Sequence, residues 1–293
     1  MQDGWALVVI LVRFGELALK SRFVRRRLRD RLIANIQDMF AVAGVECVTE
    51  ADEARIYVHT TDPATARGIL GRVFGIVSMS PAEEAHADLE SLRTLAVTEA
   101  SRILRPGASF ALRTRRAGTH PFTSLDLARE IGAAIQRANP GVRVDLTNPD
   151  VEIYIEARRN RGFVFREIWP GPGGLPVGSQ GRALAVVEDE AGLVSAWMAM
   201  KRGCRITVVV IGDESLAEPL RRWDTHLKVL AARSADELLD MAKIARAEAI
   251  FLGTRGASFD ADRRPRLPIP VFDPVVALSD SEIEALAGRI RAA

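Results

Sequence analysis

Apolar residues along the chain keep two different rhythms. Ala6 to Val12 is an unbroken apolar run rich in β-branched residues, which reads as a buried strand. From Arg22 to Val42 the spacing turns helical, with Phe23, Leu28, Leu32, Ile36 and Met39 or Phe40 inward. Strands at 45–49 and 54–60, a helix at 63–74 and a strand at 75–79 complete a β-α-β-β-α-β order, the ferredoxin-like pattern. A second unit opens with an amphipathic helix at 88–105, closed by Pro106-Gly107. Next comes a strand in which Phe110, Leu112 and Thr114 alternate with Ala111, Arg113 and Arg115, then a turn around Gly118, His120 and Pro121. Thr123, three residues before Asp126, forms an acidic capping box for a helix carried by Leu127, Ile131, Ala134 and Ile135 and ended by Asn139-Pro140-Gly141. Strands at 142–146 and 151–157 follow.

Residues 170–182, PGPGGLPVGSQGR, read as a linker. Beyond them strands at 183–187, 206–211, 227–231, 249–253 and 270–273 alternate with helices near 191–202, 214–223, 234–246 and 280–291. Such alternation argues for a parallel sheet with helices on both faces. The expected fold class is α/β throughout: a ferredoxin-like α+β domain over 1–80, an α/β domain over 81–169, the linker, and a Rossmann-like parallel sheet over 183–293.

Composition narrows the class. Apolar residues make up 48% of the chain, yet no run approaches the roughly 18 needed to span a bilayer. Gly15, Glu16 and Lys20 interrupt the opening apolar stretch, so the expectation is a soluble cytoplasmic protein with no leader and no membrane partner. Cys47 and Cys204 show neither zinc spacing nor C-x-x-C and read as reduced packing residues. The four histidines do not cluster, and no metal site is expected.

The net charge of +2 says little, but its distribution says more. Between Arg13 and Arg31 basic residues, including Arg13, Lys20, Arg22 and Arg26, far outnumber Glu16 and Asp30. A second cluster, Arg113, Arg115, Arg116 and His120, sits at a strand-to-helix junction, where forked guanidiniums beside outward-pointing N–H groups suit phosphate oxygens. A third is the hairpin tip of Arg158, Arg159, Asn160 and Arg161. Each patch alone is equally a solvated surface; together they can track one nucleic-acid backbone.

FALRTRRAGTHPFTSLDLAREIGAAI, with VDLTNPDVEIYIEA at 144–157, resembles a THUMP domain, an RNA-binding module of tRNA-modifying enzymes. Adding RFGELALKSR, GPGGLPVGSQGRALAVV and AWMAMKRGC extends the likeness, and the chain resembles the tRNA 4-thiouridine synthetase (tRNA sulfurtransferase) family over nearly its whole length. The resemblance implies a ferredoxin-like domain, a THUMP domain and a PP-loop ATP pyrophosphatase domain. It also implies a dimer, and an enzyme that adenylates a uridine near the tRNA acceptor end before replacing the activated oxygen with sulfur. On the same basis Arg113, Arg115, Arg116, His120 and Pro121 fall on the segment facing the acceptor stem.

One departure shapes the functional expectation. Where the family carries a phosphate-cradling Ser-Gly-Gly-x-Asp-Ser loop, this chain has Val187, Glu188, Asp189, Glu190, Ala191 and Gly192. Three consecutive carboxylates repel a triphosphate, and the hydroxyls are gone. The later Gly-rich segment keeps Gly253 but no glutamine, and no cysteine follows Cys204. The expectation is a tRNA-binding protein that contacts the acceptor stem and has lost adenylation and sulfur transfer, with no catalytic residue and no cofactor. An alternative is an active sulfurtransferase using ATP and Mg²⁺ through the acidic loop, with a cysteine from a partner. A third reading is an assembly subunit that docks a catalytic protein partner.

Overall fold

The computed structural model describes residues 8–15, 21–260 and 268–293. Lys20 and the first part of the expected opening strand lie outside these residues. The chain divides into two compact units. Of the described residues, one takes in those up to Leu11, Tyr57–Pro63 and Met79–Trp169; the other holds those within Val12–Ile56, Ala64–Ser78 and Pro170–Ala293.

In chain order, β1 (Val8–Phe14), α1 (Arg22–Val42), β2 (Val48–Ala51), β3 (Ile56–Thr60), α2 (Pro63–Leu70) and β4 (Ile76–His86) reproduce the ferredoxin-like order. Then come α3 (Leu89–Ile103), β5 (Ser109–Ala117), α4 (Ser124–Ala138), β6 (Arg143–Val144), β7 (Val151–Arg158), β8 (Arg161–Phe165) and β9 (Trp169–Pro170). One sheet runs β3-β1-β4-β8-β7-β5-β6, and β9 pairs with β4. β5 and β7 are parallel, with Phe110 opposite Val151 and Ala117 opposite Arg158. Period-two alternation divides the first unit's core between the two faces of this sheet. Ile153, Ile155 and Ala157 of β7 join Leu92 and Ala96 of α3 and Leu127, Ile131 and Ile135 of α4 on one face. Val9, Leu11, Tyr57, Phe163 and Phe165 cluster on the other.

The second unit holds β10 (Arg182–Val187), α5 (Glu190–Lys201), β11 (Arg205–Ile211), β12 (Lys228–Ala232), α6 (Leu238–Ala245), β13 (Ala249–Phe251), β14 (Val271–Phe272) and α7 (Asp280–Ala292). Its sheet is ordered β12-β11-β10-β13-β14 and every pairing is parallel. Ala183, Ala185 and Val187 of β10 pack with α5 and α7, whereas Leu184 and Val186 face Leu238 and Ala242 of α6. Helices therefore cover both faces, as a continuously apolar strand requires. Phe74 joins this core, stacked on Trp223 at 5.0 Å and edge-on to Trp197 at 5.3 Å.

Three local expectations change. Phe23 is 76% exposed, because it stands five residues from Leu28, about 140° around the helix from the buried stripe. Glu214–Arg222 is a 3₁₀ helix with Pro219 inside it; proline lacks the N–H and excludes a regular α-helix. The Pro/Gly-rich segment is hydrogen-bonded: Gly173 N–H donates to Ile76 O at 2.8 Å, Leu175 N–H to Lys201 O at 2.9 Å, and Gly178 N–H to Gly203 O at 2.9 Å. A Cβ at Gly174, whose φ is +75°, would lie 2.2 Å from Lys201 O, so only glycine fits this crossing.

Candidate functional site

The candidate residues gather at two strand-to-helix junctions. In the first unit, β5 is pinned at its start by Asp150, whose Oδ2 accepts from both the N–H and the hydroxyl of Ser109 at 2.7 Å. At its end Gly118 turns the chain with φ +96°, and Thr123 caps α4 in a complete box with Asp126. Arg159 N–H donates to Ala117 O at 3.1 Å, so parallel pairing of β5 with β7 sets the β7–β8 hairpin tip beside the end of β5. The second and third basic clusters of the sequence are thus one patch.

The arginines of that patch differ in what they hold. Arg113 donates to Glu152 Oε1 at 2.8 Å and to Leu146 O at 3.1 Å. Arg158 donates to Glu156 at 3.0 Å, a pair in which the side chains are 11% and 3% exposed. Both of these expected phosphate contacts are engaged with carboxylates here, which sequence spacing does not reveal. Arg115, Arg116 and Arg159 are exposed and make no ion pair among the described residues. His120 is half-buried, with Nε2 3.2 Å from Ala117 O and its ring stacked on Phe122 at 5.1 Å. In the other unit Arg22 pairs with Glu53 at 3.6 Å and Arg26 with Asp30 at 3.7 Å, both pairs largely exposed. Arg13 also has a partner.

The second junction joins β10 to α5. Asp189 caps the helix, Oδ1 accepting from Gly192 N–H at 2.9 Å. Its Oδ2 is held by Arg255 at 2.6 Å, and Glu190 by Arg291 at 2.5 Å. Glu188 alone of the three carboxylates is exposed and makes no ion pair among the described residues. The repulsion expected of the acidic loop is therefore largely cancelled by two arginines distant in sequence. Gly253 lies against the first turn of α5, where a Cβ would come within 2.3 Å of Gly192 N. Gly192 in turn sits on β10, its added Cβ 2.8 Å from Val186 O.

Between these elements opens a cavity of about 350 Å³, lined by Val186, Leu238 and Leu252 on its apolar side and by Glu188, Asp189, Thr254, Arg255 and Ser258 on its polar side. Strand order reverses there, between β10 and β13, and the carboxyl ends of parallel strands at such a point are where α/β sheets bind ligands. The volume and the mixture of apolar and donor groups suit a nucleotide. Burial raises both thiols, Cys47 and Cys204, which makes neither a ready thiolate. Among the described residues no group of three or more histidines, cysteines or carboxylates could hold a metal ion, and no helix is long and apolar enough to cross a membrane.

Residues 9–80 match the ThiI ferredoxin-like domain and residues 86–166 the THUMP domain. A probable tRNA sulfurtransferase of Methanosarcina acetivorans is 40% identical over 222 residues, covering 73% of this chain and 53% of that protein. The tRNA sulfurtransferase of Desulfurococcus amylolyticus is 40% identical over 196 residues, covering 66% and 39%. In structure, PH1313 from Pyrococcus horikoshii superposes with a TM-score of 0.84 at 30% identity, covering 97% of this chain and 99% of that one. The chain belongs to the tRNA sulfurtransferase family. It spans about half the length of the curated relatives it matches, 53% of the first and 52% of the second. A 4-thiouridine synthetase, solved as an RNA complex with bound ATP, shares the fold at a TM-score of 0.78 and 20% identity, covering 97% of this chain and 85% of that one.

Membership of this family overturns the expectation that adenylation and sulfur transfer have been lost. Relatives at this identity carry the name tRNA sulfurtransferase, and the charge argument behind the expectation fails once Asp189 and Glu190 are seen to be paired. Arg255 and Arg291 were missed because nothing in their local sequence announces their partners.

Proposed function

We propose that this chain acts in ATP-dependent tRNA thiolation, as a sulfurtransferase-type adenylating protein of tRNA 4-thiouridine biosynthesis. The observation that carries this reading is the cavity at the reversal of strand order, with its apolar wall for a ring and Arg255, Thr254 and Ser258 for polar groups. ATP in that cavity supplies the activating adenylyl group, and accompanying Mg²⁺ would be met by Glu188, the exposed unpaired carboxylate. The uridine carbonyl oxygen takes the adenylyl group as pyrophosphate leaves, and a sulfur nucleophile then displaces AMP. Burial raises both thiols of this chain and makes neither a ready thiolate, so in this reading a partner protein carries the sulfur nucleophile.

Arg115, Arg116 and Arg159 grip the tRNA backbone in this reading. Their free guanidiniums meet phosphates without breaking an internal pair, and the stem is recognised by shape, since the A-form major groove is too narrow to read. The test is release of pyrophosphate from ATP by the purified protein in the presence of tRNA. Release matched by adenylated tRNA is the expected result. No release under conditions where tRNA is bound would overturn the enzymatic reading.

A further inference from the structure

The polar wall of the switch-point cavity contains a charge pair arranged in an unusual way. Phosphate sites at strand-to-helix junctions present free N–H groups of the helix's first turn to the anion. Here Asp189 lies at that position as an internal anion, one carboxylate oxygen on Gly192 N–H at 2.9 Å and the other on Arg255 at 2.6 Å. Arg255 lines the cavity, its side chain 39% exposed, and is aimed from the opposite bank by the turn after β13. Its Nε is shielded from solvent and lies 3.1 Å from Asp280 Oδ1 without hydrogen-bonding geometry, so Asp280 steadies the guanidinium without saturating it. Gly256, the next residue, packs so tightly that a Cβ would come within 2.7 Å of Val276 O, which holds the backbone in place beneath the arginine.

We propose that Arg255 is the phosphate-binding residue of this cavity and that Asp189 is its built-in competitor, so that a nucleoside triphosphate binds by taking the guanidinium from Asp189. The proposal rests on the nucleotide reading of the cavity and goes beyond it by naming the group that recognises the phosphates and the carboxylate that opposes them. A guanidinium facing a cavity is costly without a counter-anion, and Asp189 supplies one while the site is empty. A polyphosphate offers more charge and a matching fork geometry, and it displaces the carboxylate from the arginine. No covalent step is involved.

The two residues predict effects of opposite sign. Binding of ATP, inorganic tripolyphosphate and adenosine is measured by calorimetry on the full chain, as wild type, Arg255→Gln and Asp189→Asn. Arg255→Gln is expected to weaken ATP and tripolyphosphate at least about tenfold and to leave adenosine unchanged. Asp189→Asn keeps an oxygen for the Gly192 N–H but loses the competing charge, and is expected to tighten both phosphate probes about threefold or more. A merely unfolded variant cannot bind more tightly, so the second substitution guards the first. Unchanged ATP affinity in Arg255→Gln, or weaker binding in Asp189→Asn, overturns the assignment while leaving the enzymatic reading standing if wild type still releases pyrophosphate with tRNA. No binding of ATP by any form overturns both.

Discussion

The junctions at the ends of β5 and β10 use the same device and manage charge in opposite ways. Each is a parallel strand running into a helix capped by a short polar side chain, Thr123 in one and Asp189 in the other. At the first, Arg115, Arg116 and Arg159 are exposed and make no ion pair among the described residues; at the second, Arg255 and Arg291 are paired with Asp189 and Glu190. The contrast follows from solvent. An exposed guanidinium is hydrated and costs nothing to leave unpaired, and a long anion can meet several of them at once. A guanidinium lining a cavity is partly desolvated and requires a counter-ion until its ligand arrives. Open junctions suit polymers and enclosed ones suit small anions.

The contrast can be broken most severely where a cation of the open junction is structural. Arg158→Ala removes a cation bonded to Glu156, which is 3% exposed, and is expected to cost about 3 kcal/mol in denaturant melts. A variant as stable as wild type would make this arginine as free as its neighbours. Next in size, Gly253→Ala drives a Cβ into the backbone of Gly192 and should cost about 2 kcal/mol while narrowing the cavity at the enclosed junction. Unaltered melting together with unaltered nucleotide binding would mean the two segments move apart freely.

Arg115→Ala with Arg116→Ala is expected to weaken tRNA binding roughly tenfold, to reduce the slope of log affinity against log salt by about two, and to leave the melt unchanged. An unchanged slope would place the phosphates elsewhere. The smallest effect is that of acid. Asp126, hydrogen-bonded by Thr123, and Asp150, by Ser109, are both held below the ordinary carboxylate range, as is Glu152 by Tyr154 and Arg113. Lowered folded values mean stability that is present above about pH 4 and lost as pH falls through the lower folded values. Melting temperature followed downward from pH 5 should drop first for the wild type; Asp150→Asn should show a shallower decline.

Period and punctuation made most of the architecture legible. The ferredoxin-like order, the Thr123–Asp126 box and the alternation of strands and helices after residue 183 are local signals, set by side-chain spacing and hydrogen bonds within a few residues. The places where reading failed are equally particular. Phe23 is apolar but stands on the wrong side of α1, and Pro219 interrupts a pattern whose periodicity otherwise says helix.

The candidate sites divide along the same line. Residue types alone marked the basic clusters and the acidic turn at 188–190. Which charges are free was decided only by folding: Glu152 reaches Arg113 from 39 residues away, Arg255 reaches Asp189 from 66, and Arg291 reaches Glu190 from 101. Coulomb energy depends on distance through space and on the solvent around the pair, and neither is written along the chain. The sequence determined the elements and their order; the packing of those elements decided which arginines face water and which face a carboxylate.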